Sequence, residues 1–183
     1  SSAASDVYKR QRMERAFFSP PGKGIWVSIL LRPDFLPQEA PKCTLMAAVA
    51  VAQAMEKFGL RAAIKWPNDI MHDGRKMVGI LTEMSAEMDR VNYVVIGIGI
   101  NFVQPKAVAD AEAVQGSAPH IAVSRLTERL LPELSNTFEQ FDHEGLAPFL
   151  AGYHACHRDQ NQPVRLLRDG QTLLQGTALG VDE

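Results

Sequence analysis

Residues 65–81, KWPNDIMHDGRKMVGIL, constrain the fold more than any other stretch of this chain. Trp66 precedes a proline, which drives its backbone to extended conformations, and Pro67 has no amide to give a ladder. A strand must therefore end there, with Asn68 and Asp69 held at its tip. Asp73-Gly74 is a strong hairpin signal, because both central positions of a tight turn need positive φ. Residues 70–72 and 76–78 then read as the arms of that hairpin, with Lys76 on the second arm and Gly79 just beyond it.

The rest of the chain supplies what such a hairpin packs against. Residues 62–65 form the strand that delivers the tip, and the second arm continues through residues 77–82. Residues 24–32, GIWVSILLR, alternate as a half-buried strand that Pro33 stops, and the β-branched run 93–100 predicts a central strand. Gly97 and Gly99 lie two apart and so share one face of that strand. Their bareness fits either a closely crossing helix or a slot where a flat ligand meets backbone. Residues 41–58 predict a helix apolar on nearly every side, through Leu45, Ala48, Val49, Ala52 and Met55, ended by Gly59. It is read as buried scaffold without chemistry. Residues 103–120 predict a loop with a helical turn around 107–114, followed by helices over 122–141 and 146–156 and a second hairpin over 163–167 and 172–176.

Composition excludes several classes. The chain has 183 residues, 46% hydrophobic and 22% charged, which is ordinary for a globular domain. A net charge of −2 gives no general footprint for nucleic acid, and no apolar run is long enough to suggest a membrane helix. Cys43 and Cys156 stand far apart, so a reducing cytoplasm is the expected compartment. Residues 1–11, SSAASDVYKRQ, have neither periodicity nor turn logic and are read as a non-native tail. His154, Cys156 and His157 crowd one helix end without a fourth ligand, which makes them an incidental cluster. Ser19 and His72 lack triad partners.

KWPND followed by KxxGIL resembles the biotin protein ligases, enzymes that make biotinyl-adenylate and attach biotin to a lysine of a carrier protein. The segment Phe18-Ser19-Pro20-Pro21-Gly22, the strand IWVSILLRP, the run Gly97-Ile98-Gly99-Ile100-Asn101 and the segment Glu144-Gly145-Leu146-Ala147-Pro148 resemble the family in the same order, over residues 12–183. The resemblance implies an α+β fold, a mixed β-sheet packed with helices like that of the class II aminoacyl-tRNA synthetases. It implies a catalytic domain over 12–160, then an incomplete SH3-like small barrel from 161 to 183. It further implies ATP and biotin as substrates with Mg2+ as cofactor.

Joining a carboxylate to the α-phosphate of ATP brings two anions together, so the site must supply cations and donors. By resemblance Lys76 contacts the biotin carboxylate and the adenylate phosphate and is the key catalytic residue, with Arg12 beside it. Lys65, Asn68, Asp69, Asn101 and Arg15 fall to the ATP side, Asp69 near the metal. Gly79, Ile80, Leu81, Gly97 and Gly99 fall to biotin, with Phe17 or Phe18 as its aromatic cover. The family's GRGRxGR loop corresponds to Lys9–Arg15, KRQRMER. Arg10, Arg12 and Arg15 match its arginines, while Lys9, Gln11 and Glu14 replace its glycines, which implies weaker retention of the adenylate; Arg10 and Gln11 complete the biotin set. The implied partner is a biotin carboxyl carrier domain. An open sheet edge can take either that carrier or a second protomer. Alternatives are a lipoate-type ligase of the same fold, against which KWPND and KxxGIL argue, and the sensor part of a biotin-responsive repressor, which would carry a separate helix-turn-helix.

Overall fold

The computed structural model describes residues 22–103, 111–168 and 170–182. Five strands form the main sheet: β1 (Gly24–Leu31), β2 (Ala63–Lys65), β3 (Asp69–His72), β4 (Arg75–Ala86) and β5 (Val91–Asn101), in the order β1-β5-β4-β3-β2. From β2 to β5 the chain is a meander of sequence neighbours, and β1 closes its far side against β5. Where a mixed sheet was expected, all four ladders among the described residues are antiparallel, and parallel pairing there is confined to isolated bridges at Ile64–His157 and Lys76–Ala111. For the three ladders from β2 to β5 the connections explain this, since turns of a few residues can join only antiparallel neighbours. Asp73 and Gly74 take φ of 47° and 77°, the positive pair the hairpin requires.

Three helices matter to the layering: α1 (Lys42–Glu56), α2 (Val114–Ser117) and α3 (Val123–Glu144), with α4 (Leu150–Cys156) near the end of the domain. Small residues in α1, KCTLMAAVAVAQAME, let it lie deep between the sheet and α3, and two thirds of its side chains are buried. Gly59, at φ 76°, follows its last turn. Helix α3 buries one stripe, Leu126, Leu130, Leu134, Phe138 and Phe141, whose spacing of three and four residues keeps them on one face. Gly145 at φ 70° closes it, donating its N–H to the Phe141 carbonyl. The helical turn expected within 107–114 instead occupies Val114–Ser117 among the described residues.

One face of the sheet meets these helices. A core row crosses all five strands through Ile64, Ile70, Val78, Ile100 and Ile25, each opposite the next and each buried. Beyond it, β6 (Pro163–Arg168) and β7 (Gln171–Thr177) make a separate exposed hairpin. It is tied back by Asn161 N–H to Ala178 O (2.7 Å) and by His154 Nε2 against the backbone of Val181. Among the described residues this second sheet has two strands and no barrel. No described helix is long and apolar enough to cross a membrane.

Candidate functional site

The face of the sheet turned away from the helices carries the candidate site residues. One register step from the core row, a second row crosses the five strands: Lys65 opposite Asp69, Asp69 opposite Gly79, Gly79 opposite Gly99 and Gly99 opposite Trp26. Two residues along the same face, Leu81, Gly97 and Ser28 form the next row. The result is a bare glycine floor with charge at one end and an aromatic ring at the other. A Cβ added at Gly97 would meet only the Leu81 carbonyl, at 3.7 Å, among the described residues. The Trp26 ring folds back over Gly24, where a Cβ would collide with it.

Lys76 reaches this face through an irregularity. Strict alternation from Gly79 would put Lys76 on the opposite face from Asp69. The β3–β4 register instead passes from Ile70↔Val78 to Met71↔Lys76, so Met77 is an extra residue, a bulge that exchanges the faces. Lys76 Nζ accordingly lies 2.6 Å from Asp69 Oδ1, a buried oxygen that accepts no hydrogen bond from another group among the described residues. The Lys76 side chain is partly exposed, so its ammonium is open to an arriving ligand. The Lys76 carbonyl accepts from Glu112 N–H (2.9 Å) and from Asn101 Nδ2 (3.3 Å). At the tip, Asn68 acts as a piece of backbone: its carbonyl takes the Ile80 N–H (2.9 Å) and its Nδ2 donates to Ile80 O (3.0 Å).

Of the residues singled out from the sequence, the structure brings Lys65, Asp69, Lys76, Gly79, Leu81, Gly97 and Gly99 to one face. Ile80 turns its side chain into the core and both backbone polar groups to Asn68. Asn101 is buried and holds the Lys76 carbonyl. Arg10, Gln11, Arg12, Arg15, Phe17 and Phe18 lie outside the described residues. Three residues beside this site escaped sequence reasoning. Arg75 pairs with Glu112, which is only 4% exposed, and these partners are far apart in sequence with no motif to link them. Trp26 had a faint signal, an aromatic residue two positions after a strand glycine.

Other groups have structural placements. His157 Nδ1 meets Gln160 Oε1 (3.2 Å) and its ring stacks on Tyr153; the Cys156 thiol faces Glu56. No group of three metal-ligating side chains occurs among the described residues. Burial pushes the Cys43 thiol up to about 12, and burial followed by the charge of Asp159 pushes the Tyr153 hydroxyl up to about 12. The Tyr153 hydroxyl finds no hydrogen-bond partner among the described residues. On the helix side of the tip, a cleft of about 430 Å³ lies between Pro41 and Thr44 on α1's approach and Trp66, Pro67, Thr82 and Met84.

A sheet with a glycine floor, a lysine brought over it by a bulge and a proline-led Asn-Asp tip makes a candidate ligand site on an α+β scaffold. The profile of the biotin/lipoate A/B protein ligase family matches residues 6–101, and the chain belongs to that family. It is 40% identical over 184 residues to the bifunctional ligase/repressor BirA of Bacillus spizizenii, covering 95% of this chain and 56% of that one. Against the biotin ligase for acetyl-CoA carboxylase of Paracoccus denitrificans it is 30% identical, covering 95% and 76%. In structure it resembles the biotin protein ligase of Aquifex aeolicus in complex with biotin and ATP, with a TM-score of 0.79, 24% identity and coverage of 95% and 74%. The chain thus spans little more than half the length of the BirA relatives.

Proposed function

We propose that this chain is the catalytic part of a biotin protein ligase, which activates biotin with ATP and transfers it to a lysine of a carrier domain. The observation that carries the reading is the convergence of the Lys76–Asp69 pair with the Gly79, Gly97 and Gly99 floor on one face. The names of the relatives, ligases for biotin, support it.

In the first step a biotin carboxylate oxygen bonds to the α-phosphorus of ATP while the bond to the β-phosphate oxygen breaks and pyrophosphate leaves. Lys76 would leave Asp69 for the carboxylate and the α-phosphate, cancelling charge as the two anions meet. Backbone and Leu81 would bound the flat bicyclic ring on the glycine floor. Lys65, exposed on the same row, would meet the outer phosphates. Asp69 fits a Mg2+ site as one carboxylate supplementing phosphate oxygens, as that ion prefers. The bound ion would supply further charge neutralisation. In the second step the carrier's lysine amine attacks the acyl carbon, the C–N bond forms, and AMP leaves.

We further propose residues 12–160 as the catalytic unit and the β6–β7 hairpin as the start of an SH3-like unit. The carrier would dock along β4 beyond Ile80, where β3 no longer accompanies it among the described residues. A repressor role for the parent is favoured by the bifunctional names of the BirA relatives.

The test is ATP- and biotin-dependent labelling of a purified carrier domain, with Lys76→Ala alongside. Labelling should fall by about 100-fold or more in the variant, as expected when a group that stabilises transition-state charge is removed. Because residues 9–15 lack the family's glycines, a version bearing a GRGRxGR loop runs in parallel. Silence from both, or labelling indifferent to Lys76, would overturn the assignment.

A further inference from the structure

We propose that Glu112 is the residue that positions the catalytic lysine, acting as a staple between the hairpin and the segment that follows β5. The proposal rests on the ligase reading of Lys76. The β4–β5 ladder begins only at Val78↔Ile100, so of β5 only the Asn101 side chain reaches the hairpin end carrying Lys76, its Nδ2 donating to the Lys76 carbonyl (3.3 Å). Residue 112 holds that end twice over. Its backbone N–H donates to the Lys76 carbonyl (2.9 Å), next to the Lys76–Ala111 bridge. Its carboxylate, only 5% exposed, pairs through Oε2 with the Arg75 guanidinium, one residue before the lysine.

The other oxygen, Oε1, accepts from Ala113 N–H (3.1 Å) and Ser117 Oγ (3.5 Å). Gly116 is what lets α2 come this close, since a Cβ there would stand 3.0 Å from Oε1. A buried carboxylate needs such partners, and here they fix it in one orientation. Arg75 and the Lys76 carbonyl are thereby clamped on both sides of the residue whose ammonium must meet the reacting oxygens. A lysine loosened by an ångström loses far more of the transition state than of substrate binding.

Glu112→Gln keeps an oxygen for Ala113 and Ser117 and removes only the charge facing Arg75. Biotinyl-adenylate formation should show kcat reduced about tenfold with KM for biotin within about twofold, the pattern of a lost transition-state contact. Arg75→Gln should match it, and the double variant should be no worse than either single one, because both act through one pair. An unchanged kcat, or losses that multiply in the double variant, would overturn the proposal. A second readout needs no turnover: acetylation of Lys76 by acetic anhydride, measured against Lys57 by mass spectrometry. Glu112→Gln should raise that ratio about threefold as the ammonium leaves its fixed position beside Asp69. A constant ratio overturns the positioning role. If the unsubstituted chain makes no biotinyl-adenylate, the ligase reading falls while the acetylation ratio still decides Glu112.

Discussion

Among single residues, Asp69 and Lys76 are the pair on which the proposed chemistry turns. Their contact is partly exposed, so its net contribution to stability is small, about 0–1 kcal/mol. Asp69→Asn should therefore melt with the parent yet need more Mg2+ to reach half-maximal adenylate formation, which a Mg2+ titration reads directly. Tyr153 presents the opposite case, a hydroxyl buried without a partner among the described residues. Tyr153→Phe should leave stability unchanged or raise it by about 1 kcal/mol in urea unfolding, since it removes a desolvated polar group. Its folded-state pKa is raised from 10.0 to about 12, so the unfolded chain ionises first. Stability is full below pH 10 and is lost as pH rises toward 12. Cys43, raised from 9.0 to about 12, extends the same loss down to pH 9. Tyr153→Phe should shrink the fall between pH 10 and 12 and leave the part that starts near 9. Lys76, Asp69 and the glycines were singled out through the motifs that carry the family resemblance, KWPND, KxxGIL and GIGIN, and the structure sets them on one face. Glu112 was not, because its meeting with Arg75 is made by the fold alone.

At the level of elements, strands and helices followed from periodicity and turn chemistry, and Asp73-Gly74 and Gly145 stand where those rules put them. The antiparallel pairing from β2 to β5 followed from connection length, a cue the expected mixed sheet left unused. Periodicity also missed the Met77 bulge, since alternation assigns Lys76 to the wrong face and only the register corrects it. Of the two meanings left open for the glycine pair, the described residues bear on the one at Gly97. No described helix crosses at Gly97, where an added Cβ finds only the Leu81 carbonyl in ordinary contact. Gly97→Val should accordingly hold or slightly raise the melting temperature, because β-branched residues suit a strand. It should also weaken biotin binding by about tenfold or more, a loss calorimetry would register, by filling the slot with side-chain volume. Loss of folding together with binding would instead mean that the space belongs to packing.

Across the whole molecule, the parts differ in how firmly they are held. The sheet and α1 share one core, whereas both strands of the C-terminal hairpin are exposed along their lengths. From its own residues the C-terminal segment was read as a hairpin, and two paired strands are what the described residues show there. The meander from β2 to β5 bears on how the protein comes into being. Three residues join β2 to β3, two join β3 to β4 and four join β4 to β5, so nearly all the described ligand face is assembled by short-range closures. Such closures lose little chain entropy and form quickly, while pairing Gly24 with Asn101 must close a loop spanning most of the domain. In pulse-labelled hydrogen exchange during refolding, β3 to β5 should gain protection first and β1 last. The lysine and its carboxylate would then be in register before the aromatic end of the floor arrives, making the nascent candidate site a template onto which β1 is laid.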